Sequence, residues 1–190
     1  MVRRLPLNIS FLPQFACGNN ARVELGDDWR LVRLRVLSDN AWCCTHCGKE
    51  TADLEAHEVW EFRKLSETTV EQKLVDIRAV CNRCHLCYHV GFADKIDLLP
   101  KILEHYAKVR GLPDDRKEEI TANAIDDAIL IAARWNAVPW TKVELNVDYA
   151  YDILERKATP ILPPPEREFA RKITLPPSTK YGKGTWHAKR

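Results

Sequence analysis

Three stretches decide the fold: Cys44-Thr45-His46-Cys47-Gly48, Leu54-Glu55-Ala56-His57-Glu58-Val59-Trp60 and Cys81-Asn82-Arg83-Cys84-His85-Leu86-Cys87-Tyr88-His89. The first and last each carry a Cys-x2-Cys pair. A gap of two residues lets both thiolates reach one tetrahedral ion from a tight turn, and Gly48 gives that turn its backbone freedom. Four thiolates close a coordination sphere, so an ion held by Cys44, Cys47, Cys81 and Cys84 is expected to be a structural Zn2+. It would clamp the start of one strand to the end of the next, in a unit of roughly 50 residues too small to rely on its core alone. Cys43 is the alternative to Cys44 in a looser spacing. Cys87 and Cys17 read as small buried hydrophobes.

The histidines between and beyond these pairs suggest a second site. His85 and His89 are four apart, so on a helix they share a face and can hold one ion. The four-sulfur clamp brings the strand carrying His57 beside that helix. Three neutral imidazoles on a divalent cation leave positions open for a phosphate or a water, unlike a closed structural site. His46, His105 and His187 lack such support; His46 reads as a bystander and the other two as solvent-facing.

Around this centre the pattern reads turn, strand (Leu54–Phe62), strand (Val75–Val80), then a helix beginning near Cys84. Upstream, a helix is expected over 28–37, capped by Asp27 or Asp28, with Trp29, Val32, Val36 and Leu37 near one face. Downstream, Ile96, Leu99, Leu103, Tyr106 and Val109 make a helical stripe with Pro100 in its first turn and Gly111 as its stop. A further helix starts at Asp115 or Thr121 and buries Ile120, Ala124, Ala128, Ile131, Ala132 and Trp135. Pro160-Ile161-Leu162-Pro163-Pro164-Pro165 opens an extended tail ordered only by a partner. The organisation is thus 1–41, a helical and extended segment; 42–93, the metal-binding core; 94–159, a helical extension; and 160–190, a Pro-rich basic tail.

The 190 residues are 45% hydrophobic and 29% charged, as in an ordinary globular protein, and the net charge of +2 does not by itself announce a polyanion partner. The tail is more telling. Arg171, Lys172, Lys180, Lys183, Lys189 and Arg190 meet no acid after Phe169. No apolar run approaches the ~20 residues of a membrane span, and the start of the chain lacks the apolar stretch of a secretory leader. A cytoplasmic location is expected, where paired cysteines favour metal over disulfides.

Leu54-Glu55-Ala56-His57-Glu58-Val59 resembles the strand of HNH (ββα-metal) endonucleases, usually hydrophobic-Glu-x-His-His-hydrophobic. Cys81-x2-Cys84-His85-x3-His89 resembles that family's second knuckle and helix, and its His-x3-His end is similar to colicin-type DNases. The likeness is to small bacterial and phage members with a His-Glu-x-Trp strand and a Gln-x-Leu element, here Gln72-Lys73-Leu74. It covers residues 42–93, and Trp135 and Trp140 extend it more loosely. The resemblance implies an α+β fold: a ββα-metal core with a four-cysteine zinc rib, flanked by α-helices and an extended C-terminal tail.

It also implies a metal-dependent endonuclease hydrolysing phosphodiester bonds in double- or single-stranded DNA, alone or as a subunit of a larger complex. His57, His85 and His89 would hold one catalytic cation, Mg2+, Mn2+, Ni2+ or Zn2+. The family's general base is the second histidine of the strand pair, where this chain has Glu58. Its loop-bracing Asn falls at Asp76. Either Glu58 is the base, the preferred assignment, or Glu58 is a fourth ligand and His57 the base. Arg63, Lys64, Arg78 and Arg83 are candidates to neutralise the transition state. The helix near Cys84 would lie along a groove. In the tail, Tyr181 and Trp186 interleave with Lys180, Lys183 and Lys189, which suits stacking on a nucleic-acid strand or gripping a protein partner. The rival reading is a non-catalytic zinc-stabilised module that binds nucleic acid or scaffolds an assembly.

Overall fold

A computed structural model describes residues 4–156 and Pro163; the tail beyond, with His187, Tyr181, Trp186 and the basic residues after Phe169, lies outside the described residues. The fold is mixed α+β. Its elements run α1 (Ala21–Leu25), α2 (Asp28–Asp39), β1 (Leu54–Lys64), β2 (Thr69–Cys81), α3 (Asn82–Cys87), α4 (Val90–Lys95), α5 (Leu99–Arg110), α6 (Lys117–Asn136), β3 (Lys142–Asn146) and α7 (Asp148–Glu155). Among the described residues no helix is long and apolar enough to cross a membrane.

The centre is an antiparallel hairpin pairing Leu54 with Cys81 at one end and Lys64 with Val70 at the other. Its second strand is longer than the pattern predicts, starting at Thr69 rather than Val75. The reason is a bulge. Val59 pairs with Asp76 but Trp60 with Leu74, so Val75 is an extra residue. The inward positions accordingly run Val70, Gln72, Leu74 before the bulge and Ile77, Ala79, Cys81 after it. The change of phase breaks the alternation by which a continuous strand is recognised.

β3 and α7 were not foreseen. β3 adds to β2 in parallel, giving the order β1-β2-β3 and leaving β1 at an edge. Five residues with a half-exposed pattern give too weak a period to read. α7 then packs its Ala150 and Ile153 into the core, and its carbonyls at Ile153 and Leu154 accept from the Arg35 guanidinium on α2.

α2 buries Val32, Val36 and Leu37, but Asp27 makes no side-chain cap. α5 has Pro100 in its first turn and Gly111 left-handed at φ 62°, while Ile96 falls outside it and Ile102 takes the buried place. α6 spans Lys117–Asn136 and buries Thr121, Ala128 and Ala132. Ile131, expected in its core face, is instead 56% exposed, because α6 lies against the body only along a narrow line. Its C-terminal end is anchored by aromatic edges: Phe15 lies 5.2 Å from Phe62 and 6.1 Å from Trp135, and Trp140 donates its indole N–H to the Trp135 carbonyl. Cys87 is buried, whereas Cys17 is exposed rather than a core residue.

The N-terminal segment threads across the hairpin and α3. Leu5 N donates to the Thr45 carbonyl and Ser10 N to the Cys87 carbonyl. Gln72, wholly buried, donates Nε2 to the Asn19 carbonyl at 2.9 Å, which fixes the entry to α1.

Candidate metal centre

The Cys44, Cys47, Cys81 and Cys84 sulfurs lie within 4.8 Å of one another, close enough to hold one metal ion. The Cys47 and Cys81 sulfurs stand 3.7 Å apart, close to the edge of about 3.8 Å that four sulfurs at about 2.3 Å from a tetrahedral centre require. The first pair sits on a turn in which Gly48, at φ 75°, donates to the Cys44 carbonyl. The second pair straddles the junction of β2 and α3. Hydrogen bonds from Cys47, and then Cys81 and Cys84, hold the Cys44 thiol well below its usual range. The same crowding pushes the Cys81 and Cys84 thiols up, so without a cation the cluster shares its protons, and a bound ion is what would draw all four into the thiolate form. Cys43 stands outside the group and pairs instead with Glu50 across a short bridge.

His105 belongs to the surroundings of this cluster. The sequence reads it as solvent-facing, whereas its Nε2 lies 3.2 Å from the Cys84 sulfur. Position 105 on α5 gives no local hint of that contact, which exists only because α5 packs on α3.

His57, His85 and His89 form a second group, their ligand nitrogens within 4.8 Å of one another. The ring centroids are 5.1 Å apart for His57 and His85, 5.4 Å for His57 and His89, and 4.7 Å for His85 and His89. The two downstream histidines do not share one helix as expected. α3 ends at Cys87, and His89, at φ −131°, caps the separate α4. The break follows a tightened last turn, in which Tyr88 N bonds the His85 carbonyl and His89 N the Leu86 carbonyl. Burial, reinforced by the neighbouring imidazoles, depresses the His57 pKa to about 2 and that of His89 to about 4; burial also lowers His85. All three are therefore neutral at ordinary pH, the form that offers a lone pair to a metal. All three are also only partly buried. They face a cleft of about 610 Å³.

Tyr88 underlies this group. Its ring stacks on His57, 4.2 Å between centroids and 20° between planes. Its hydroxyl lies 2.9 Å from His46 Nε2 and accepts from Arg78 at 3.0 Å. His46 is thus no bystander. It is buried, with Nδ1 3.0 Å from the Leu5 carbonyl oxygen. Arg78 stands opposite His57 across the hairpin and binds Asp76 at 2.9 Å, and Asp76 also accepts from the Tyr149 hydroxyl. Asp76 therefore anchors an arginine beside the histidines and stands outside their group. Tyr88→Phe is expected to lower stability by about 1–3 kcal/mol, since buried His46 and half-buried Arg78 lose the hydroxyl, and to weaken metal binding at His57. Urea unfolding and metal titration check this; an unchanged midpoint and affinity would remove Tyr88 from the support.

Glu58 is not brought into the imidazole group. Adjacent strand residues point to opposite faces, and the Glu58 carboxylate accepts from the Ala21 and Arg22 amides at 2.8 and 3.3 Å. With Asn20, which accepts from Val23 N, it satisfies the open N-terminus of α1. Burial raises the Glu58 pKa, opposed by these amides. The cleft follows the open edge of β1, so His57 and Glu58 both line it. Of the four cations expected near the chemistry, only Arg78 lines this cleft. Arg63 is exposed and paired with Glu71, Lys64 is exposed, and Arg83 faces another groove. Arg22 lines the cleft without having been foreseen.

Set against models of protein families, against curated proteins and against solved structures, the chain matches none.

Proposed function

We propose that this protein is a metal-dependent phosphodiesterase acting on DNA, built on an HNH-like ββα-metal core. The observation that carries the reading is the pairing of two unlike donor sets across α3. Four mostly buried sulfurs suit a structural zinc, and three partly buried neutral imidazoles that line a cleft suit a cation with room for substrate. A divalent ion held by His57, His85 and His89 would draw charge from a phosphate oxygen and stabilise the leaving oxygen. Arg78 presents its guanidinium to the same cleft, held by Asp76 and Tyr88, and meets charge developing on the phosphate. Glu58 stands outside the imidazole group and is tied to the α1 amides, so as base it would take a proton only from a water standing in the cleft that it lines with the histidines.

The deciding experiment is cleavage of linear, circular and single-stranded DNA by the purified protein with added Mg2+, Mn2+, Ni2+ or Zn2+, alongside metal analysis. Two ions per chain and metal-dependent cutting are expected. One ion and no cutting would leave the second reading, a zinc-stabilised module without chemistry. The tie between Glu58 and α1 favours that reading.

Glu58→Gln separates the roles of this side chain. An amide oxygen still accepts from Ala21 and Arg22, so the loss of stability should be only about 1 kcal/mol. Cleavage should fall by about 10²-fold or more. Single-turnover cleavage beside urea unfolding reads both. Full activity would reduce Glu58 to a tie for α1, and loss of the second ion would make it a ligand.

A further inference from the structure

We propose that a second groove, on the side of α3 away from the imidazoles, is a track for the phosphate backbone of nucleic acid. Arg4, Lys49, Arg83, Lys101, Lys108 and Arg110 line it together with His105, and among the described residues no Asp or Glu does. The chain as a whole carries 29 basic and 27 acidic residues, so six cations without an acid mark a segregated surface. None of the six is in an ion pair among the described residues.

A thiolate cluster calls for some of this charge. Four thiolates around a divalent ion leave a formal charge of about −2, which two cations balance. Six exceed that need, and they are spread over the N-terminal segment, the first knuckle, α3 and α5. On α5, Lys101, His105 and Lys108 follow one another at i, i+4 and i+7, which places them along one face. His105 is turned inward to Cys84, while Lys101, Lys108 and Arg110 stay exposed.

The groove is also placed to serve the cleft. α3 separates them, Arg83 and Leu86 facing the groove while His85 and Tyr88 face the cleft. The N-terminal segment borders both, through Arg4 to Leu7 on one side and Asn8 to Pro13 on the other. A helix with its side chains is about 10–12 Å across, and a duplex carries a charge every ~1.7 Å of its axis. A nucleic acid lying in the groove therefore reaches the imidazoles within a few nucleotides. The identity of the polyanion rests on the nuclease reading; the groove and its charge do not.

The test is binding of a short fluorescein-labelled duplex, and of one of its strands, to the full zinc-loaded chain without added catalytic metal, across a salt series. In Lys101→Gln/Lys108→Gln/Arg110→Gln, affinity at about 0.1 M salt should fall at least tenfold. The slope of log affinity against log salt should shrink by about 2–3. Hydrolysis of a small chromogenic diester, which needs no track, should be unchanged. Unaltered affinity and slope would overturn the track, and so would an equal effect on labelled polyglutamate, which would mark an acidic protein partner. If the wild type hydrolyses neither DNA nor the small diester while the triple variant still loses its salt slope, the nuclease reading fails and the track stands.

Discussion

Replacing Cys84 with serine is expected to strip the ion from the four-sulfur cluster and to lower the melting temperature by about 10–20 °C. Cys84 is fully buried where β2 passes into α3, and it touches both the other cluster sulfurs and His105. Structural zinc contributes about 10–16 kcal/mol in small zinc-dependent units. Removing one of four donors forfeits several kcal/mol of that, and in a chain of this length each kcal/mol moves the midpoint by about 2–4 °C. The substitution also leaves three sulfurs crowded together without a shared cation. Metal analysis and thermal melting of the variant read both effects, with Cys43→Ser as the control that should change neither. A Cys84→Ser protein that keeps its metal and its melting point would show that the four sulfurs hold no structural ion.

His85→Ala is expected to slow DNA cleavage by at least about 10³-fold while leaving the sulfur cluster loaded. A metal acting on a phosphoryl oxygen supplies several kcal/mol, and each ~1.4 kcal/mol is a factor of ten. His85 is the ring nearest His89, at 4.7 Å, and is 5.1 Å from His57, so its loss would leave the proposed cation only two donors. The side chain lies on the cleft side of α3, so truncation should spare the fold. Plasmid nicking and metal content before and after the change decide the matter. Two ions falling to one with loss of nicking is the expected result; undiminished nicking would take His85 out of the site.

The spacing of Cys44, Cys47, Cys81 and Cys84 made the sulfur cluster legible, because two-residue gaps are a local signal that survives any packing. His57, His85 and His89 were legible as a set, but not the way the last two come together. A helix break at Tyr88 depends on how α3 and α4 dock, and the i, i+4 spacing hides it. Glu58 shows the limit of reading along a strand. Its neighbour His57 turns to Tyr88 while its own carboxylate turns to α1, a partner that folds back from upstream. The same holds for His46 and His105, whose partners Leu5, Tyr88 and Cys84 are distant in sequence. Ile131 failed for the opposite reason: an apolar residue at helical spacing looks buried whether or not anything covers it.

The short third strand sets an order of assembly. β3 pairs with β2 only after the chain has laid down α3, α4, α5 and α6 between them. On loop-closure entropy alone the local hairpin is expected to form before this parallel contact, an order that pulse-labelled hydrogen exchange of β2 against β3 would check. The hairpin between Leu54 and Cys81, by contrast, closes locally and is pinned where the sulfurs meet. The imidazole cleft can therefore take shape on the nascent chain before the residues that complete the sheet have been synthesised.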